Sequence, residues 1–284
     1  MTAHVLPLTS PPQTAGQLLR QWRDLRGKSQ LDLALDTGVS QKHVSFVETG
    51  RSTPSKPMII DLADALGIPL RERNAILLAA GFAPAYRDAP LDAPLMHQVK
   101  RAVDRLLRQH EPFPALVMDR YWNVIETNAA SPAFFGRFID LDARPKPRNL
   151  LHLMFDPSGL RPHIARFEET ARSLLQRLRD EAVGNVVDLR TRALMAELMA
   201  YPDVPQNLGL QDLGARPSNA ALPMIPIGFR AGERVLDLFS MITTVGTPQT
   251  VMAEEMRIET MFPTDDEMER LYLDFVGAAY PIRA

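Results

Sequence analysis

Cysteine is absent from the 284 residues. That excludes disulfides and cysteine-based zinc sites, and it fits a reducing compartment, here expected to be the cytoplasm. The sequence contains no run of about 18 uninterrupted apolar residues, so no membrane span is expected. The N-terminus lacks the basic-then-apolar pattern of a signal peptide. There is no Gly-rich phosphate loop, HExxH helix or GxSxG elbow. The six histidines are scattered without metal-like spacing. The carboxylate clusters Glu168-Glu169 and Asp265-Asp266-Glu267 fall where solvated helix starts are expected. The expectation is therefore no enzyme, no catalytic residues, no bound metal and no required cofactor. Basic charge is not in surplus either, with 32 Lys and Arg against 34 Asp and Glu. Apolar residues, at 45% of the chain, are plentiful enough for more than one core.

The most informative stretch runs from Ser29 to Arg51 and reads as two short helices joined by a tight turn. Ser29 is a fit cap, with Asp32 three residues on completing a capping box. Leu31, Ala34 and Leu35 give the first helix an apolar face. Gly38 supplies the permissive backbone at the corner, and Val39 plugs it. Ser40 caps the second helix, whose inward face is Val44 and Val47. Its outward face keeps Gln41, Lys42, His43, Ser45 and Phe46, side chains able to reach base edges and phosphates.

This arrangement resembles the helix-turn-helix of the lambda-repressor and Cro superfamily, the xenobiotic-response-element family, over residues 14 to 81. Thr14 and Gln17 form a capping box, and Leu18, Trp22 and Leu25 form a stripe. Pro57 and Pro69 sit just inside two further helix starts, and Gly81 ends the last helix. The resemblance implies an all-α five-helix domain that binds double-stranded DNA. It pairs Arg23 with Glu48 as a structural clamp and places Gln30 on a phosphate. Gln41 and Lys42 would meet bases, with Ser40, His43, Ser45 and Phe46 alongside, and Arg51 and Lys56 would meet phosphates. Phe46 departs from the usual polar residue, and either a thymine methyl or the core would suit it. Residues 1–85 carry nine Lys and Arg and seven Asp and Glu. Placement rather than net charge carries the argument, and so few cations suggest a homodimer on a palindromic site.

Prolines 84, 90 and 94 mark a linker over 83–94, separating a DNA-binding domain at 1–82 from a second domain at 95–284. A helix is predicted over 96–110, with Val99, Val103, Leu106 and Leu107 in its stripe, as the element that couples the two domains. Ala115 to Asn128 reads as a hairpin followed by an Asn-capped helix ending near Gly136. Three more strands are predicted over 222–229, 234–243 and 255–261, and helices near 161–183, 188–200 and 265–277, the last capped by Thr264 and Glu267. The strand, Asp-containing turn, strand, Asn, helix order resembles a PAS domain, an α+β fold with an antiparallel sheet.

Asn149 to Pro157, Leu160-Arg161-Pro162, Leu174 to Leu178 and Tyr201 to Pro205 resemble the ligand-binding half of MmyB-type regulators. That resemblance implies a PAS-like domain with an apolar cavity for a fatty acyl chain, and hence transcription regulation by a small apolar ligand. Candidate lining residues are Trp122, Phe134, Phe135, Met154, Phe155, Met195, Met199 and Met241. The chain's 13 methionines suit an adaptable cavity or an ordinary core alike. His152, Arg161 or Arg230 would meet a carboxylate head. The competing expectation is an antitoxin-like or partner-binding protein whose second half is only an interaction surface.

Overall fold

The computed structural model describes residues 13–180, 189–204 and 226–277. They divide into two compact units. The first runs to Asp88 and takes in Gln249–Val251, and the second holds the remainder.

In the first unit, α1 (Ala15–Leu25), α2 (Gln30–Thr37), α3 (Gln41–Glu48), α4 (Lys56–Ala65) and α5 (Leu70–Ala79) form a helical bundle. Thr14 and Gln17, then Ser29 and Asp32, close the two predicted capping boxes. The Ser40 and Ser55 hydroxyls accept from the amides of His43 and Met58. Each such cap contributes about 1 kcal/mol. Pro69 stands one position outside α5, as its N-cap, rather than inside its first turn. Gly38 closes α2 at φ +69, a conformation that costs any residue with a Cβ. The core gathers Leu19, Trp22, Leu33, Val44, Val47 and Ile59, and each fully buried aliphatic side chain stabilises the bundle by about 1.5–3 kcal/mol. α1 meets α3 at backbone distance: a Cβ on Gly16 would lie 2.1 Å from the Val47 carbonyl oxygen.

Two helix faces differ from expectation. α2 buries Leu33 and Ala34, while Leu31 and Leu35 are 51% and 74% exposed. With Leu at 31, 33 and 35 in eight residues, sequence leaves the helix phase open, and packing against α3 and α4 decides it. α1 buries Leu19, and Leu25 is exposed.

The second unit is built on a five-stranded antiparallel sheet, β1 (Ala115–Met118), β2 (Val124–Thr127), β3 (Ile227–Ala231), β4 (Arg234–Thr243) and β5 (Arg257–Pro263), in the order β2-β1-β5-β4-β3. Its helices are α6 (His97–Gln109), α7 (Ala130–Phe135), α8 (Leu150–Phe155), α9 (Phe167–Asp180), α10 (Leu189–Met199), α11 (Val251–Glu255) and α12 (Asp266–Val276). β1 is paired on both sides, with β2 and with the middle strand β5, so that Leu116 lies opposite Thr127 and Glu259. All four of its residues are buried because both faces are covered. Leu116 and Met118 join the large core with Phe134, Phe155, Phe229 and Tyr272. Ala115 and Val117 join a smaller core with Leu91, Met96, Val103 and Leu107, which lays α6 on the other face. Within α6, Leu106 is exposed instead.

Asn128 does the capping expected of it from one position further out. Its Oδ1 accepts from the amides of Ala115 and Ser131, and its Nδ2 donates to Phe113 O. Asp265, not Thr264, caps α12, its Oδ1 accepting from Glu267 N and Met268 N. The first predicted late strand begins at Ile227 within the described residues, and positions 222–225 lie outside them, as do 181–183 of the helix near 161–183. The last strand starts at Arg257 because Val251–Glu255 is helical.

Candidate DNA-reading helix and ligand cavity

α3 presents the face that the sequence assigns to DNA. Val44, Val47 and Glu48 are buried, while Ser40, Gln41 and Lys42 are exposed and His43, Ser45 and Phe46 are half-buried. Phe46 is neither core nor isolated on the surface. Lys42 Nζ lies 5.5 Å from its ring centroid and the Arg51 guanidinium 5.8 Å, so the ring carries two cations on the outward side. Arg51 is held there by its own amide, which donates to Phe46 O at 2.8 Å.

Behind that face, Arg23 Nε and Nη2 donate to the two carboxylate oxygens of Glu48 at 2.6 and 2.9 Å, the clamp the resemblance implied. The Glu48 carboxylate raises the Arg23 pKa further above its already high ordinary value. Arg23 Nη1 also donates to Lys28 O, so one guanidinium joins α1, the α1–α2 loop and α3. Lys28 is absorbed structurally, donating to Asp36 and to Ala65 O. Lys56 stands half-buried as the first residue of α4.

In the second unit, the residues expected to line a ligand cavity separate into three groups. Trp122, Phe135 and Met154 do line an enclosed apolar cavity, together with Leu116, Leu174 and Phe229. Phe134 and Phe155 are fully buried in the core, and Met195 and Met199 pack on its edge. Met241, near the end of β4 and beyond its buried residues, is 58% exposed. The cavity measures about 20 Å³, room for about one water molecule and far short of an acyl chain. Its remaining walls are Leu150, Ile227, Met261 and Glu259, which the sequence reading missed. Nothing in the sequence marked Glu259, a buried acid on β5.

None of the three proposed head-group residues lines the cavity. The His152 ring is bonded to Tyr201 and Glu197. Arg161 pairs with Asp203, and Arg230 Nη2 donates to Ala165 O. The charged group at the cavity is instead Glu259, which accepts from Arg177 Nη1 and Nη2 at 3.2 Å each. Arg177 lies over the Trp122 ring, 4.3 Å from its centroid. A second buried ion pair, Arg120 with Glu255 at 3.0 Å, ties the β1–β2 turn to α11.

Profile comparisons agree with this geometry. A helix-turn-helix profile matches residues 19–73. The profile described as the MmyB-like transcription regulator ligand binding domain matches residues 99–273. The protein is thus of the helix-turn-helix transcription regulator type, with a second segment that matches a ligand-binding domain. The second match covers more than half the sequence, and the chain belongs to the MmyB-like regulator family.

Uncharacterized HTH-type transcriptional regulators of Mycobacterium tuberculosis (strain ATCC 25618 / H37Rv) and Mycobacterium bovis (strain ATCC BAA-935 / AF2122/97) are 35% identical over 68 residues. The match spans 24% of this chain and 27% of those proteins, so it speaks only for a segment of helix-turn-helix size. A solved RNA-binding light-oxygen-voltage receptor overlaps with a TM-score of 0.25 and 11% identity, over 92% of this chain and 60% of that one, too loosely to bear on function. Among the described residues, no helix is long and apolar enough to cross a membrane.

Proposed function

We propose that residues 1–82 dock as a homodimer on a palindromic DNA site, with α3 in the major groove, and that residues 95–284 bind a small apolar ligand of the fatty-acid type, 83–94 serving as linker. The observation that carries the DNA half is the division of α3: its apolar side is buried while Gln41 and Lys42 stand free for bases. Gln41 matches an adenine edge and Lys42 a guanine. Gln30, Arg51 and Lys56 set the register on phosphates. Ser40, His43, Ser45 and Phe46 fill the remaining footprint. A regulator of this kind works in the cytoplasm.

Selection from random duplexes, with wild type and with Gln41→Ala and Lys42→Ala, tests the sorting. The wild type should return one inverted repeat and the variants a degenerate one. Selection of an asymmetric site by the wild type removes the homodimer.

For the ligand half, the support is an enclosed apolar cavity in a sheet-based unit. Because it is smaller than an acyl chain, binding must move its walls. Such movement would favour one arrangement of the unit over another, as a switch requires. α6, packed on β1 and β5, is placed to pass that change on. The small cavity and the exposed Met241 and Ile242 favour the second reading, an antitoxin-like or partner-binding half without ligand. Organic-solvent extraction of the purified protein decides between them: about one acyl chain per chain supports the sensor, and none in repeated preparations supports the interaction surface.

A further inference from the structure

Trp122 occupies the turn between β1 and β2 at φ +66, a conformation unusual for a bulky residue. The turn is fixed by Asp119, whose Oδ1 accepts from the amides of Tyr121 at 2.8 Å and Asn123 at 2.9 Å. This backbone sends the indole into the interior, where the residue is 2% exposed. The ring lies on the wall of the cavity, and its Nε1 is buried with no hydrogen-bond partner. A buried indole N–H is ordinarily paired, and leaving it unpaired costs stability. Beside it, Arg177 and Glu259 already satisfy each other through two hydrogen bonds. Trp122 therefore brings an unpartnered donor to the cavity wall, beside an acid whose charge is matched by Arg177.

We propose that Trp122 Nε1 is the hydrogen-bond donor that fixes the head of the ligand, and that this head is an uncharged acceptor: the carbonyl of an ester, an amide or a protonated acid. This rests on the acyl-chain reading above and specifies its ligand class. A carboxylate entering the same space meets Glu259 on the wall and finds the nearest guanidinium already neutralised. An ion placed there without its own counter-charge is strongly disfavoured. A carbonyl oxygen takes the indole proton and leaves the Arg177–Glu259 pair intact.

Equilibrium dialysis of the full-length protein at pH 8 against methyl decanoate and against decanoate tests this. The ester should bind wild type at least about tenfold more tightly than the anion. Trp122→Phe keeps an aromatic wall and removes the donor, and it should weaken the ester about three- to tenfold, the size of one buried neutral hydrogen bond. Glu259→Gln removes the carboxylate charge from the cavity wall and should raise decanoate affinity toward that of the ester. Decanoate binding as tightly as the ester to wild type, or ester affinity unchanged in Trp122→Phe, overturns the donor assignment while leaving the acyl-chain reading standing. If neither compound binds wild type, the acyl-chain reading itself falls, and this assignment with it.

Discussion

Gln30 Nε2 donates a 2.8 Å hydrogen bond to Glu48 Oε2, joining the first residue of α2 to the last of α3. An amide nitrogen carries two protons. Glu48 takes one, and the other remains for a phosphate oxygen. Gln30→Ala should then weaken binding to all duplexes alike. Gln41→Ala and Lys42→Ala should each cost about 1–3 kcal/mol on the preferred site and little elsewhere. Binding measured on the preferred site and on scrambled duplexes at fixed salt separates the two patterns. Equal losses on every duplex for all three variants would reverse the assignment of roles.

Arg23 and Glu48 have side chains only 9% and 2% exposed. Removing Arg23 leaves Glu48 charged and buried, which costs about 3–5 kcal/mol, whereas Arg23 without Glu48 keeps Asp24 at 2.8 Å. Arg23→Ala should destabilise the first unit by that much in urea unfolding, and Glu48→Ala by less. The double variant should lose less than the sum of the two, because neither charge is then stranded. Strict additivity would show that the pair is not the clamp between α1 and α3.

Phe46 holds Lys42 and Arg51 at its ring. An exposed cation–π contact is worth about 0.5–1 kcal/mol. Phe46→Leu keeps apolar bulk but removes the quadrupole, so DNA affinity should fall about two- to fivefold per cation released, with the melting temperature nearly unchanged. Unchanged affinity at low and moderate salt would mean the ring does not position these cations.

Burial holds the His110 imidazole below its ordinary value of 6.5, while its Nε2–H donates to Met261 O at 2.8 Å. The folded chain therefore takes up this proton less readily than the unfolded chain. The stability this group contributes is complete above pH 6.5 and is lost as pH falls below it toward the depressed folded value. His110→Gln keeps a donor for Met261 O and does not titrate. The drop in melting temperature between pH 7.5 and pH 5.5 should be smaller in this variant. An equal drop in both proteins assigns the acid sensitivity elsewhere.

The first unit was far more legible in the sequence than the second, for a physical reason. Its elements are signalled by contiguous residues: Ser29 with Asp32, Thr14 with Gln17, Gly38 at the corner. The helix phase of α2 differs most from expectation, since Leu31, Leu33 and Leu35 satisfy several phases and the neighbours choose among them, while in α1 Leu25 is exposed and Pro69 stands one position outside α5. In the second unit, elements were placed within a few residues, but the cavity depends on pairings across more than a hundred positions. Leu116 and Glu259 become neighbours only through the β1–β5 ladder. Nothing local distinguishes the buried Met261 from the exposed Met241. Trp122 was read as an apolar wall, and its free N–H emerges only when every nearby acceptor is located.

The pairing of β1 with β5 also has a bearing on biosynthesis. On the ribosome, the bundle of α1 to α5 has all its partners once about the first third of the chain has emerged, whereas β1 waits for the middle strand β5, near the other end. Native contacts this distant in sequence form late. A message cut short before residue 257 would therefore release a formed helical bundle joined to a second unit without the middle strand of its sheet.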